Sequence, residues 1–468
     1  MLNLEGQESV EARLERARSD LQANDASESV IEEEVSIRVA ELTQADFELR
    51  AALAATFGTP DDPFAPEETG LKLNLLRKAA GPTGGKDVEA QFDTNGNLVE
   101  NGYRLGGLFR EHCVHCHGVS GDGAGPTARF LDPYPRDFRR GIFKFTSTGS
   151  KQKPTEDDLR RTIEQGLHGT GMQAFGIALK PDEITALVEY VKYLALRGEY
   201  ELALRADLFD EVMTVFVDDN SIDMLVVTNR IKGIVNNWDN ATVTQPVPRP
   251  IPWEQMTEAD KQASIERGRQ LFENEGQCVK CHGPAGLGDG GQLNYDDWNT
   301  AKALVEDEHE RAEMWLLPLQ ELKARNLQLG VFRGGRRPID IYRRIRNGIT
   351  GTPMPAASIL KEDDSFGNVE SAAAQTGDAA RNDADAGDAT GADGSNAQTG
   401  DANSNAESGN AGSATAGQDA AAQTDPEAIT PQPIREEEIW HIVDYVLSLQ
   451  YERGFRTPTP EIATPTGR

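Results

Sequence analysis

All four cysteines of this 468-residue chain fall in two short runs, CVHCHG at 113–118 and CVKCHG at 278–283. Scattered singly, four cysteines could make two disulfides. Two Cys-x-x-Cys pairs, each with a histidine directly behind, restrict the chain far more. The runs also sit at matching points of an internal repeat. GIFKF pairs with GVFRG, DLRRTIEQGLHGTGMQA with DIYRRIRNGITGTPMPA, and LVEYVKYL with IVDYVLSL. Each copy reads as helix, cysteine turn, glycine-rich loop, helix, methionine loop and closing helix.

The chemistry of Cys-x-x-Cys-His is specific. Two thiols on one helical turn can each add to a vinyl group on the same edge of a haem. The histidine behind them then lies beneath the porphyrin and offers its imidazole to iron. Cys113, Cys116 and His117 form the first such set, and Cys278, Cys281 and His282 the second. A shared four-cysteine zinc site and a thioredoxin-like dithiol are the alternatives. Both copies carry the histidine and a methionine loop of their own, which favours haem. Met172 and Met354, each in a Gly-Thr-x-Met setting, are the expected sixth ligands. Pro353 and Pro355 frame the second loop. Gly171 and Gln173 replace them in the first, which is expected to be looser. His168 is the rival to Met172; His112 and His115 are expected on the surface, with His115 pointing outward.

The pattern predicts an all-α chain of two helical domains. A charged helical arm (1–96) precedes the first unit (97–200); a helical and Pro-rich linker (201–256) leads to the second (257–452) and a tail (453–468). In the arm, VSIRVAEL (35–42) alternates and leaves a short strand open. The first unit closes on a helical face of Ile184, Leu187, Val188, Val191 and Leu194, started by Pro181 and stopped by Gly198. In the linker, ELALRADLFDEVMTVF reads as an amphipathic helix and QPVPRPIPW (245–253) as a semi-rigid spacer. Residues 362–428 are almost wholly Ala, Asp, Gly, Asn, Ser, Thr and Gln. They are expected to be a disordered insert looped out of the second unit, since closure cost grows only logarithmically with length.

Both units resemble class I cytochrome c domains, over 97–200 and over 257–360 with 430–452, and the chain resembles a tandem dihaem c-type cytochrome. The resemblance implies two covalently bound haem c groups, with iron between His117 and Met172 and between His282 and Met354. It implies aromatic pairs between first and last helices: Phe109 with Tyr190, and Gly268 and Phe272 with Tyr445. Leu105 stands where the first copy would carry that glycine, with Gly106 one place on. A proline carbonyl is implied as the hold on the histidine. Pro126 fits in the first unit; the second has no such proline, so another carbonyl must orient His282.

With both axial positions filled, the implied activity is outer-sphere electron transfer rather than catalysis. Its partners would be redox proteins: an oxidase, a quinol-oxidising complex or a dehydrogenase. A dihaem peroxidase, which needs one haem with an open distal side, is the enzyme alternative. An electron-transfer subunit of a larger dehydrogenase or oxidase complex is a third reading.

The net charge of −30 would repel phosphate backbones and anionic lipid, which argues against nucleic-acid and membrane-surface roles. About −12 of it lies in 361–430 and about −8 in the first fifty residues, so the folded body is only mildly acidic. No run approaches the ~20 apolar residues of a membrane helix. The opening MLNLEGQESVEARLERARSD has no secretory pattern. Covalent haem attachment, as the resemblance implies it, takes place outside the cytoplasmic membrane. A periplasmic or otherwise exported protein is therefore expected, seen as a mature or wrongly started chain.

Overall fold

The computed structural model describes residues 14, 18–22, 27–81, 107–210, 216–218, 221–249, 251–291, 295, 317–318, 320–360 and 433–450. The expected insert at 362–428 and tail at 453–468 lie outside them, as do Leu105 and Gly106. The described chain is helical apart from one two-stranded ribbon. Its helices are α1 (Glu28–Phe57), α2 (Leu73–Ala80), α3 (Leu108–His112), α4 (Val114–His117), α5 (Glu156–Gln165) and α6 (Pro181–Arg205), then α7 (Met224–Asp239), α8 (Glu258–Glu273), α9 (Val279–His282), α10 (Pro338–Asn347) and α11 (Ile439–Ser448).

Helix α1 runs straight through the stretch whose alternation left a strand open. Leu42, Ala45, Leu49, Leu53 and Phe57 recur at three and four residues and are buried, while Ile37 and Val39 stay exposed. A helical face with core to cover outweighs the local β-branched preference. These residues share one core with α2, α3, α5 and α6. Tyr190 on α6 donates its hydroxyl to the Pro60 carbonyl, and Tyr193 donates to that of Phe57 at 2.8 Å. The end of α1 is thereby tied to the closing helix of the first domain.

Helix α6 does not stop at Gly198; it continues to Arg205. A Cβ at Gly198 would lie 2.3 Å from Cα of Arg139, so this glycine marks a close approach of two backbones inside a helix and not its end. Beyond Arg205 the chain takes a π-type turn over Ala206–Asp210. It then forms a ribbon of β1 (Phe216–Asp218) against β2 (Ser221–Ile222), antiparallel. The helix expected to reach Phe216 is thus replaced at its end by a strand.

In the second domain a single helix, α8, leads to the cysteine turn and packs along α11. A Cβ at Gly268 would sit 1.9 Å from the His441 carbonyl oxygen, so only glycine lets the two backbones meet. One turn on, Phe272 and Tyr445 stack edge-on at 5.3 Å. In the first domain the same part is played by two pieces. Helix α2 packs along α6, residues 82–106 intervene in sequence, and α3 resumes with Phe109 against Tyr190 at 5.0 Å. Gly107 rests on the backbone of Ala79–Gly81, its would-be Cβ 2.1 Å from the Gly81 nitrogen.

In the second domain the residues on either side of 361–432 also lie together. Ser358–Leu360 bonds to Ile434 through Leu360 N to Ile434 O (3.0 Å) and Ile434 N to Ser358 O (2.9 Å). The Pro-rich spacer is also held down. Val247 O accepts from Trp440 Nε1 at 2.7 Å, and its N–H donates to the Tyr342 hydroxyl. Arg249 pairs with Asp444 beneath the Trp440 ring, 4.6 Å from its centroid.

The domains meet through the helices that precede the two methionine loops. Arg161 on α5 makes a two-pronged bond to Asp340 on α10 at 2.8 and 2.7 Å. Arg344 donates to the Thr146 carbonyl, and Asn347 to that of Thr148. Replacing Gly268 with Ala is expected to destabilise the protein by about 1–3 kcal/mol, because the methyl must push α8 off α11. Denaturant unfolding of the purified variant checks this.

Candidate functional site

Each cysteine run folds as one helical turn. His117 N bonds to Cys113 O and His282 N to Cys278 O, both at 2.9 Å. This geometry brings both thiols and the imidazole of a run to the same turn. None of the four cysteines is paired in a disulfide. Burial pushes the Cys113 and Cys278 thiols up to about 12, so they remain protonated at neutral pH. Among the described residues no three His, Cys, Asp or Glu side chains are grouped to hold a metal ion. The shared four-cysteine zinc site therefore does not form.

The two histidines are held alike. Nδ1 of His117 donates to the Arg136 carbonyl at 3.1 Å, and Nδ1 of His282 donates to the Arg325 carbonyl at 3.2 Å. Pro126 is not the anchor; the carbonyl lies ten residues further along, in YPRDF, and its counterpart lies in KARNL. The expected asymmetry, with a proline hold in one domain only, is thus absent. Burial lowers the His117 imidazole to about 4, despite the opposing pull of the Arg136 carbonyl, and it lowers His282 as well. Both rings are neutral at pH 7, with Nδ1–H engaged and the Nε2 lone pair left for a metal. Phe138 stacks on His117 at 4.5 Å and 22°.

The methionine loops also match bond for bond. Leu167 N bonds to Met172 O and Ile349 N to Met354 O, at 2.9 and 3.1 Å. The Thr170 hydroxyl accepts from Met172 N and donates to Leu167 O. Thr352 does the same for Met354 and Ile349. The loop without prolines is held by the same frame as the loop with them, so its expected looseness has no counterpart in its hydrogen bonding. His168 and His115 are exposed, as expected of surface residues, while His112 is half-buried with its ring 5.8 Å from that of Phe175.

Cys113, Cys116, His117 and Met172 line one cavity of about 290 Å³, walled by Phe109, Phe138 and Leu187 and reached by Arg333 from the second domain. Two thiols and a neutral imidazole on one turn, with a thioether on a loop of the same apolar cavity, fit the donor set of a covalently held iron porphyrin. Sequence reasoning missed the Arg136 and Arg325 carbonyls and the Phe138 stack. The repeated threonine of Gly-Thr-x-Met was the available signal for the loop frame.

The model of the cytochrome c family matches residues 101–195 and again 265–365. These two stretches are cytochrome c domains, and members of that family bind covalently attached haem c and transfer electrons through it. No curated protein matches the chain. Among solved structures it is similar to a chain of the reducing HAO-like protein complex of Kuenenia stuttgartiensis. The two are 20% identical over 73% of this chain and 93% of that one, with a TM-score of 0.40. No described helix is long and apolar enough to cross a membrane.

Thr352→Val removes the two hydroxyl bonds of the Met354 loop and leaves its backbone bond from Ile349. It is expected to cost about 1 kcal/mol locally, seen as roughly fivefold faster hydrogen exchange at the Met354 amide.

Proposed function

We propose that this protein is a dihaem c-type cytochrome carrying electrons between redox proteins by outer-sphere transfer. One haem would be held by Cys113, Cys116, His117 and Met172, the other by Cys278, Cys281, His282 and Met354. The observation that carries this reading is the matched frame. In both domains a backbone carbonyl holds Nδ1 of the histidine, and a threonine hydroxyl holds the methionine loop.

Bound haem supplies one-electron exchange between ferric and ferrous iron. The chain's own groups set its conditions. The neutral imidazole, oriented by Arg136 or Arg325, donates from one side. The thioether of Met172 or Met354 would favour the ferrous state and so raise the potential relative to a second histidine. Phe109, Phe138 and Leu187 keep water from the first cavity. With His117 and Met172 holding one iron and His282 and Met354 the other, neither site would offer a place for peroxide, and the matching bonds of the two loops favour this reading over a peroxidase. Partners would be redox proteins such as an oxidase, a quinol-oxidising complex or a dehydrogenase. Covalent haem attachment points to an exported protein.

Redox titration of the purified protein with optical and EPR detection tests this. Two low-spin haems per chain are expected, and a high-spin haem would overturn the assignment. Replacing both Cys113 and Cys116 with Ser should reduce the covalent haem count from two to one. Met354→His should lower the potential of one haem and leave the other in place.

A further inference from the structure

The methionine loop of the first domain touches the histidine-holding residue of the second. Gly169 lies between His168 and Thr170 with φ of +74°, and a Cβ there would sit 2.6 Å from Nη2 of Arg325 and 2.9 Å from Cγ1 of Val331. Arg325 belongs to the second domain, where its carbonyl accepts from Nδ1 of His282. A single residue thus borders both sites, with its backbone beneath one histidine and its guanidinium against the loop of Met172. The contact has company. Arg333, eight residues on, reaches the first cavity. In the reverse direction, Lys151 N of the first domain donates to the Thr350 hydroxyl of the Met354 loop at 3.3 Å.

We propose that Arg325 is a positioning residue for the first haem site, lent by the second domain, and that its guanidinium raises the reduction potential of the first haem. This rests on the two-haem reading above. The guanidinium acts in two ways. Its bulk closes the space beside Gly169 and so fixes the loop that presents Met172. Its permanent charge, partly withdrawn from water, favours the less positive ferrous state nearby. Its carbonyl, by contrast, serves His282 whatever side chain is attached. A change of side chain in the second domain should therefore register mainly at the first haem.

The test is spectropotentiometry of the full-length holoprotein carrying Arg325→Met, in a Met354→His background where the near-infrared methionine-to-iron band reports the first site alone. At a fixed applied potential the ferrous-to-ferric ratio of the first haem should fall roughly tenfold, equivalent to 59 mV for a one-electron couple. The methionine band should weaken. Arg325→Lys, which keeps the charge, should recover most of the ratio. Gly169→Ala, which leaves the second domain's residues unaltered and forces the contact apart, should also weaken the band. The proposal is overturned if Arg325→Met leaves the ratio and the band of the first haem unchanged, or if only the second haem responds. A parent protein with fewer than two covalent haems would instead sink the dihaem reading, and the role of Arg325 with it.

Discussion

Two helix backbones must touch in each domain before anything else can be placed. At Gly268 the carbonyl of His441 occupies the space where a side chain would begin, and α8 and α11 are locked at that depth. The contact sets the aromatic pair one turn on, Phe272 with Tyr445. Phe272 in turn stands 6.2 Å from the ring of His282. In the first domain the sequence of consequences is the same although the helix is in two pieces. Gly107 seats on Gly81, Phe109 meets Tyr190, and Phe109 becomes a wall of the cavity that holds His117. Backbone contact, aromatic pair and histidine position form one mechanical series.

What the sequence makes legible follows from how local each interaction is. The cysteine turn and the Gly-Thr-x-Met loop are bonded within a few residues, and both could be read directly. The hold on the histidines could not. It is a main-chain oxygen that any residue could supply, and Arg136 and Arg325 carry no mark of the task. Gly198 misleads for a related reason. Glycine both ends helices and permits close packing, and only the presence of Arg139 across the gap decides between them. The split first helix was hidden because residues 82–106 separate α2 from the cysteine turn, so the small residues that replace Gly268 lie far upstream, around Ala79.

The interface between domains is polar and partly buried. Asp340 is 1% exposed and receives both Arg161 and Arg337. These partners outweigh burial, which alone would raise its carboxyl, and hold it below the usual carboxylate range. Such an ion pair adds little net stability over apolar packing but penalises every misaligned docking, because any slip leaves a buried charge alone. It therefore acts as a register pin between α5 and α10, the helices that carry the two methionine loops.

Gly81 and Gly107 lie side by side, and so do Leu360 and Ile434, although many residues separate each pair in sequence. The described frame is closed at both junctions by direct contact between the flanking residues. Topologically, each junction is a seam. Because the flanking residues of each stretch already touch, a change in the length between them costs the frame only the slowly growing entropy of closing a loop.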